Sequence, residues 1–254
     1  MIEQLHQEIK AWIKQAGEMA KKGLEDGLTV DTKTSASDLV TNIDKAIQES
    51  FIAYIYKHYP THHILGEEDD THITSMNGYV WIIDPIDGTL NYVKEKENYG
   101  ITVSLYINGQ GTLAYIYDVA KSHLYHMIAG QGVYCNEEKL QPLDCGLLKD
   151  TVISISSSAL DIPVYQEIMK KALSVRVIGC SSQSFIRVIT GKYGAYISCA
   201  LPSWDFAAGA MMIKELGGKC TQPAGTDLNI LQKTPIIASS GTIHQELINM
   251  VKGC

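Results

Sequence analysis

Several common functional signatures are missing from this chain of 254 residues. Its six cysteines, at positions 135, 145, 180, 199, 220 and 254, form no C-x-x-C pair. That argues against a structural zinc site and against a dithiol redox motif. The eight histidines form no H-E-x-x-H pattern, the helical arrangement of zinc hydrolases. His62-His63 and the His123/His126 pair read as surface or loop residues. There is no basic stripe: 21 Lys and Arg against 28 Asp and Glu leave a formal charge of −7. Nucleic acid and anionic membranes are therefore not expected as main partners. No apolar run is long enough to span a bilayer. The opening Met1-Ile2-Glu3-Gln4-Leu5-His6-Gln7-Glu8 has no apolar signal core. With dispersed thiols, this predicts a cytoplasmic protein with reduced cysteines. No internal repeat or low-complexity tract is visible.

What is present is a good core composition. The chain is 45% hydrophobic and 19% charged, enough apolar matter for one large domain. The expected organisation is a single domain over 1–254. Its N-terminal α+β half would cover about 1–143 and its C-terminal α/β half about 144–254, with a change of composition near Leu140 to Lys149. Leu5, Ile9, Trp12, Ile13, Ala16 and Ala20 recur at helical spacing, which predicts a helix over 3–25. Residues 27–40 are polar and read as a surface loop or loose hairpin. Thr41 or Asn42 caps a second helix that must end by Pro60. Strands alternate around Asn108-Gly109, a hairpin signal. After 150, strands and helices alternate, which argues for an α/β layered core.

The chain is organised around Val80 to Tyr92, V-W-I-I-D-P-I-D-G-T-L-N-Y. Val80 to Ile83 predict a buried strand that stops at Pro85, which cannot donate to a ladder. Asp84 and Asp87 then stand three residues apart with the Ile86 carbonyl between them. These are hard oxygen donors, suited to Mg2+ more than to zinc or copper. Gly88 allows close approach of an anion to backbone N–H groups. Taken alone, an acidic Pro-Gly turn is common.

Other acids have similar settings. Glu67 follows the apolar Ile64-Leu65-Gly66, while Asp69 and Asp70 read as a solvated loop. Asp44 and Asp205 lie in the first turns of helices, where an acid also complements the helix dipole. Strand ends and helix starts line the crevices of α/β sheets. Several carboxylates brought together there would repel one another unless divalent cations joined them.

Four motifs in order carry a resemblance over most of the chain. They are Asp38-Leu39-Val40-Thr41-Asn42-Ile43-Asp44, Gly66-Glu67-Glu68, Asp84-Pro85-Ile86-Asp87-Gly88-Thr89 and Trp204-Asp205-Phe206-Ala207-Ala208-Gly209. In these the chain resembles the inositol monophosphatase family, within the lithium-sensitive, Mg2+-dependent phosphatase superfamily. The resemblance implies a five-layer αβαβα sandwich, as in fructose-1,6-bisphosphatase, and a homodimer. It also implies hydrolysis of inositol monophosphate and other small phosphate esters by metal-activated water, with two to three Mg2+ ions per site.

The roles implied at matching positions are specific. Glu67, Asp84 and the Ile86 carbonyl would hold one ion. Asp84, Asp87 and Asp205 would hold a second, and Glu67 would reach a third through water. Thr89 and Asp44, with Glu67, would be the catalytic groups. Gly88 and Thr89 would contact the phosphate through their N–H groups, with Lys33 nearby. Gly179, Cys180 and Ser181 match a substrate-wall segment, to which Asp205 and Ser198 would add. Inositol-selective family members carry a Glu seven residues before the matching aspartate, where this chain has Ser198. A shorter, uncharged side chain implies a weaker polyol grip. A 2′-phosphatase acting on NADP(H), or a fructose-1,6-bisphosphatase, is the alternative on the same site. A non-catalytic metal- or phosphate-binding regulator would be expected to have lost Thr89, Asp44 or a metal acid, and none is lost.

Overall fold

The computed structural model describes residues 2–35, 38–68, 73–144 and 146–253. Asp69, Asp70, Cys145 and Cys254 lie outside them. Helix α1 (Ile2–Asp26) buries the stripe from Leu5 to Ala20 noted above. Strands β1 (Val30–Thr32) and β2 (Leu39–Thr41) pair antiparallel, Val30 opposite Thr41. The polar segment 27–40 is thus a hairpin, with Lys33 just past β1. Helix α2 (Asn42–His58) starts at the Thr41 cap. Strand β3 (His63–Gly66), strand β4 (Tyr79–Asp87) and the short helix α3 (Thr89–Lys94) follow. Next come β5 (Gly100–Ile107), β6 (Gln110–Asp118), β7 (His123–Ile128), β8 (Val133–Cys135) and β9 (Glu138–Lys139).

The remainder runs β10 (Val152–Ile155), α4 (Pro163–Lys171), β11 (Ser174–Arg176), α5 (Ser181–Ile189), β12 (Ala195–Leu201) and α6 (Ser203–Glu215). Strands β13 (Lys219–Thr221) and β14 (Thr234–Ser239) and helix α7 (Gly241–Lys252) complete it. β3 to β9 form a seven-stranded sheet in chain order, antiparallel except for the β3/β4 pair. The other sheet has the order β11-β10-β12-β14-β13.

Strand alternation builds the layers. On β4, Trp81 and Ile83 face a core shared with α1 and α2, through Ile9, Ile13 and Phe51. Val80 and Ile82 face the opposite core, shared with Phe185 of α5, Phe206 of α6 and Tyr196 of β12. On β12, Ala195 and Ile197 turn to a third core with Ile168 of α4 and Leu247 of α7. Helix pair, sheet, helix pair, sheet, helix pair is the expected αβαβα order. Each fully buried aliphatic side chain contributes about 1.5–3 kcal/mol, so the alternation dictates which face each strand turns inward.

Three sequence expectations need correction. The strand does not stop at Pro85: β4 continues to Asp87, with its register against β5 shifted between Asp84 and Asp87. A missing donor is tolerated at such an irregularity. His62 and His126 are buried, not superficial. His62 stacks on Tyr59 and Tyr79 and accepts the Trp81 indole N–H at 3.0 Å. His126 stacks on Tyr134. The short strands β8, β9 and β13 have too few residues to show a period.

Candidate active site

The site forms where β3 ends beside the last residues of β4. Gly66 of β3 pairs with Ile83 of β4, so Glu67 leaves the sheet next to Asp84, which still pairs with Thr102 of β5. The irregular end of β4 then delivers Asp87. Gly88 turns the chain with φ +85°, a left-handed backbone that strains any residue with a Cβ. A Cβ there would also lie 3.0 Å from Cys180 Sγ.

Asp205 arrives from the other sheet, in the first turn of α6. Helices α5 and α6 pack closely because Gly209 has no side chain: a Cβ there would stand 2.2 Å from the Phe185 ring. The start of α5 is tied to Asp87. Asp87 Oδ1 accepts from Ser181 Oγ at 2.9 Å and from Ser181 N at 3.3 Å. Asp87 Oδ2 accepts from Cys180 Sγ at 3.0 Å and, by a short bond, from Ser182 N. A carboxylate at a helix N-terminus meets orphan N–H groups and the favourable end of the dipole.

As a result Asp84, Asp87 and Asp205 each offer a carboxylate oxygen within 4.8 Å of one another. Burial, and then the negative charge of Glu67, Asp87 and Asp205, push the Asp84 carboxyl well above the usual carboxylate range. Asp205 is raised in the same way by burial, Asp87 and Glu67, with Lys233 and Lys33 pulling back. Three acids forced together with only oxygen donors fit a divalent cation of the Mg2+ type. A buried acid cluster of this kind is costly without one.

Asp44 and Thr89 meet on one side of this cluster. Thr41 caps α2 and Asp44 returns the bond as the third residue of a capping box. Its Oδ2 accepts from Thr41 N at 2.9 Å and also from Thr41 Oγ1. The free Oδ1 lies 3.1 Å from Thr89 Oγ1. Thr89 Oγ1 is equally near the Ile86 carbonyl, at 3.0 Å, so its single proton can go to either. Burial raises the Asp44 pKa, while the bonds from Thr41 and Thr89 oppose that rise. The helix-start role and the pairing with Thr89 are thus compatible, using different oxygens.

Lys33 reaches the cluster from the hairpin. Its Nζ lies 2.9 Å from Glu67 Oε1 and 2.5 Å from Glu68 Oε1. Burial pulls the Lys33 pKa down, but Glu67 and Glu68 outweigh it and hold the pKa above its ordinary value. Burial raises Glu68 to about 7, because the Lys33 bond only partly offsets burial and the charges of Glu67 and Asp44. Lys33, Asp38, Glu67, Trp204, Asp205 and residues 231–233 line a cleft of about 530 Å³.

Glu67, Asp84, Ile86, Asp87, Gly88, Thr89, Asp44, Lys33 and Asp205 therefore gather at one place. Cys180 and Ser181 are buried and bind Asp87, while Gly179 beside them is exposed. Ser198 is 1% exposed. It lies on the same side of β12 as Tyr196, which belongs to the core between the sheets, and it does not line the cleft. Sequence reasoning missed Glu68 as the second partner of Lys33, the Ser182 N–H on Asp87, and the Leu231 and Lys233 wall. The Ser181-Ser182 pair at a helix start carried a recognisable capping signal. Lys233, an exposed lysine ahead of a strand, carried none.

The whole chain, residues 1–254, matches the profile described as the inositol monophosphatase family. Inositol-1-monophosphatase of Bacillus subtilis (strain 168) is 36% identical over 245 residues, covering 94% of this chain and 92% of that protein. A crystal structure of an IMPase/NADP phosphatase complexed with Mg2+ and phosphate superposes with a TM-score of 0.92 at 32% identity, covering 98% and 95% of the two chains. A staphylococcal inositol monophosphatase-1 soaked in 100 mM LiCl, described as an inhibitory complex, superposes with a TM-score of 0.93 at 31% identity, also covering 98% and 95%.

Proposed function

This chain belongs to the inositol monophosphatase family, and from that premise we propose that it hydrolyses inositol monophosphate and other small phosphate monoesters with Mg2+. The observation that carries the reading is the convergence of Asp84, Asp87 and Asp205 within 4.8 Å beside the Thr89–Asp44 pair at 3.1 Å. The overall reaction adds water to phosphorus and breaks the ester P–O bond, giving an alcohol and inorganic phosphate.

In this reading Glu67, Asp84, Asp87, Asp205 and the Ile86 carbonyl hold the metal ions. Bound Mg2+ supplies charge neutralisation for the phosphate dianion and makes water easier to deprotonate. The protein supplies the rest. Asp44 accepts the Thr89 proton, which leaves the Thr89 oxygen free to accept a hydrogen bond from the attacking water and hold it in line. Burial of both groups keeps that pair fixed. Gly88 and Thr89 N–H groups are the candidate donors to the phosphate oxygens. Lys33, already poised against Glu67, adds positive charge at the rim.

NADP 2′-phosphatase or fructose-1,6-bisphosphatase activity on the same site is the second reading. It is supported by the likeness to an IMPase/NADP phosphatase. Gly179, Cys180 and Ser181 lie beside Asp87 and are the candidate wall for the leaving group. A homodimer is the assembly we favour. The edge strand β11 is flanked by Leu173 at 65% exposure and Val177 at 49%, apolar surface that a second copy would cover. Cys135, Cys180, Cys199 and Cys220 are unbridged, which suits a reducing cytoplasm. Among the described residues no helix is long and apolar enough to cross a membrane.

The test is phosphate release from inositol 1-phosphate, NADP, fructose 1,6-bisphosphate and adenosine 3′,5′-bisphosphate, each with Mg2+ and with EDTA. Mg2+-dependent turnover is expected, and the ranking of kcat/KM names the preferred class. No turnover of any of the four with Mg2+ present would overturn the proposal.

A further inference from the structure

The residues that line the cleft are of two kinds. Lys33 is occupied by Glu67 and Glu68, and Asp38 is bonded to Thr34 Oγ1 at 2.5 Å. Trp204 is half-buried, Leu231 is 40% exposed and Lys233 is exposed. All of Lys33, Asp38, Trp204, Leu231 and Lys233 line the same cleft as Asp205. Among the described residues Lys233 has no carboxylate within 4.0 Å. Its charge acts on Asp205 through space without a direct ion pair, which leaves the ammonium itself open to an anion at an acidic cleft.

The scissile phosphate does not need Lys233. It is met by the acid cluster with its cations, by the Gly88–Thr89 turn and by Lys33. Lys233 lines the cleft together with Trp204 and Leu231. Substrate that reaches these residues would lay an apolar or ring portion on Trp204 and Leu231 and place a negative group at the ammonium. The other cation of the cleft, Lys33, is already held by Glu67 and Glu68, so it is the poorer partner for a second anion.

Building on the phosphatase reading, we propose that Lys233, with Leu231 and Trp204, forms a subsite for a second anionic group of the substrate. The class is small phosphate esters that carry a further phosphate, pyrophosphate or carboxylate on the leaving group. The subsite sets the preference of this enzyme for such esters over simple monophosphates. Lys233 also balances part of the Asp205 charge, so its removal touches every substrate to some degree. The informative quantity is therefore a ratio of substrates.

The experiment compares kcat/KM for fructose 1,6-bisphosphate and for inositol 1-phosphate in the wild type, Lys233→Gln, Lys233→Glu and Lys233→Arg, at fixed Mg2+ and at 50 and 300 mM KCl. For Lys233→Glu the ratio of bisphosphate to monophosphate is expected to fall by about tenfold or more at low salt. Lys233→Gln should fall by less, and Lys233→Arg should keep the wild-type ratio. The effect should shrink at 300 mM KCl, because the subsite is exposed and screened. An unchanged ratio in Lys233→Glu, with wild-type turnover of inositol 1-phosphate established, overturns the subsite and leaves the phosphatase reading intact. Equal loss on both substrates overturns it too, since Lys233 would then act only through Asp205. Wild-type turnover of inositol 1-phosphate without any of fructose 1,6-bisphosphate also overturns the subsite, whereas absence of turnover on both substrates strikes at the phosphatase reading itself.

Discussion

Replacing Asp205 by Asn should move stability in opposite directions with and without metal. In the ion-free protein Asp205 lies with Asp84 and Asp87, oxygens within 4.8 Å. A fully ionised pair at that distance repels by about 3 kcal/mol at an effective dielectric of about 20. Burial and this repulsion together push Asp84 and Asp205 above the usual carboxylate range. Asn at 205 should therefore stabilise the protein in EDTA by about 1–2 kcal/mol, or about 2–8 °C in Tm for a chain of this size. In Mg2+ the order reverses. Wild type gains about 2.7 kcal/mol when the ion is at a hundred times its Kd, and the variant, with one charged ligand gone, gains little. Its kcat should fall by about two orders of magnitude or more. Thermal melts in EDTA and in 10-fold steps of Mg2+, together with phosphate release, read all three effects. An Asp205→Asn protein that is less stable in EDTA and keeps the wild-type Mg2+ shift would refute the argument that this cluster is built to hold metal.

Thr89→Ala should leave the Mg2+-dependent rise in Tm intact and lower kcat by about 10²–10⁴-fold, while Thr89→Ser retains most activity; equal activity in Thr89→Ala would remove the Asp44 pair from the mechanism. Acid stability follows from two buried histidines. Burial, with nearby positive groups, lowers His6 and His244 to about 4 each, so both are neutral in the fold while the unfolded chain takes up their protons below about 6.5. Their contribution is complete above that pH and is lost as pH falls from 6.5 toward 4, by up to about 3 kcal/mol each. Urea unfolding at pH 7, 5.5 and 4.5 measures the loss, and His244→Gln should flatten the profile; an unchanged slope in that variant counts against His244. Leu173→Asp should convert the proposed homodimer to a monomer by sedimentation with the fold preserved, and a dimer that persists places the interface elsewhere.

Much of the architecture could be read from local pattern. The amphipathic stripe of α1, the Asn108-Gly109 turn and the alternating strands after 150 each depend on neighbours within a few residues. So did the Thr41 cap, although not the fact that Asp44 divides its two oxygens between the cap and Thr89. The failures share a cause. Pro85 looked like a stop because its missing donor was weighed alone, whereas the shifted register against β5 accommodates it. His62 and His126 looked superficial because the stacks that bury them, on Tyr59 and Tyr79 and on Tyr134 of the paired strand β8, leave no periodic trace in the sequence.

The residue types of the site belong to the sequence. Hard oxygen ligands, a turn glycine and the absence of thiol or imidazole clusters point to a divalent metal of the Mg2+ type before any coordinate is known, and phosphate hydrolysis is what the four-motif family resemblance adds. Which of those residues touch was decided by tertiary structure. The parallel pairing of β3 with β4 sets Glu67 beside Asp84, and the bare Gly209 lets α6 approach α5 so that Asp205 reaches Asp87. The same packing turns Ser198 inward and brings Lys233 to the cleft that Lys33 also lines. Ligand type depends on side-chain chemistry, which one residue carries by itself. Ligand distance depends on which apolar faces pack together, and that is settled only when both sheets and the helices between them close on a common core.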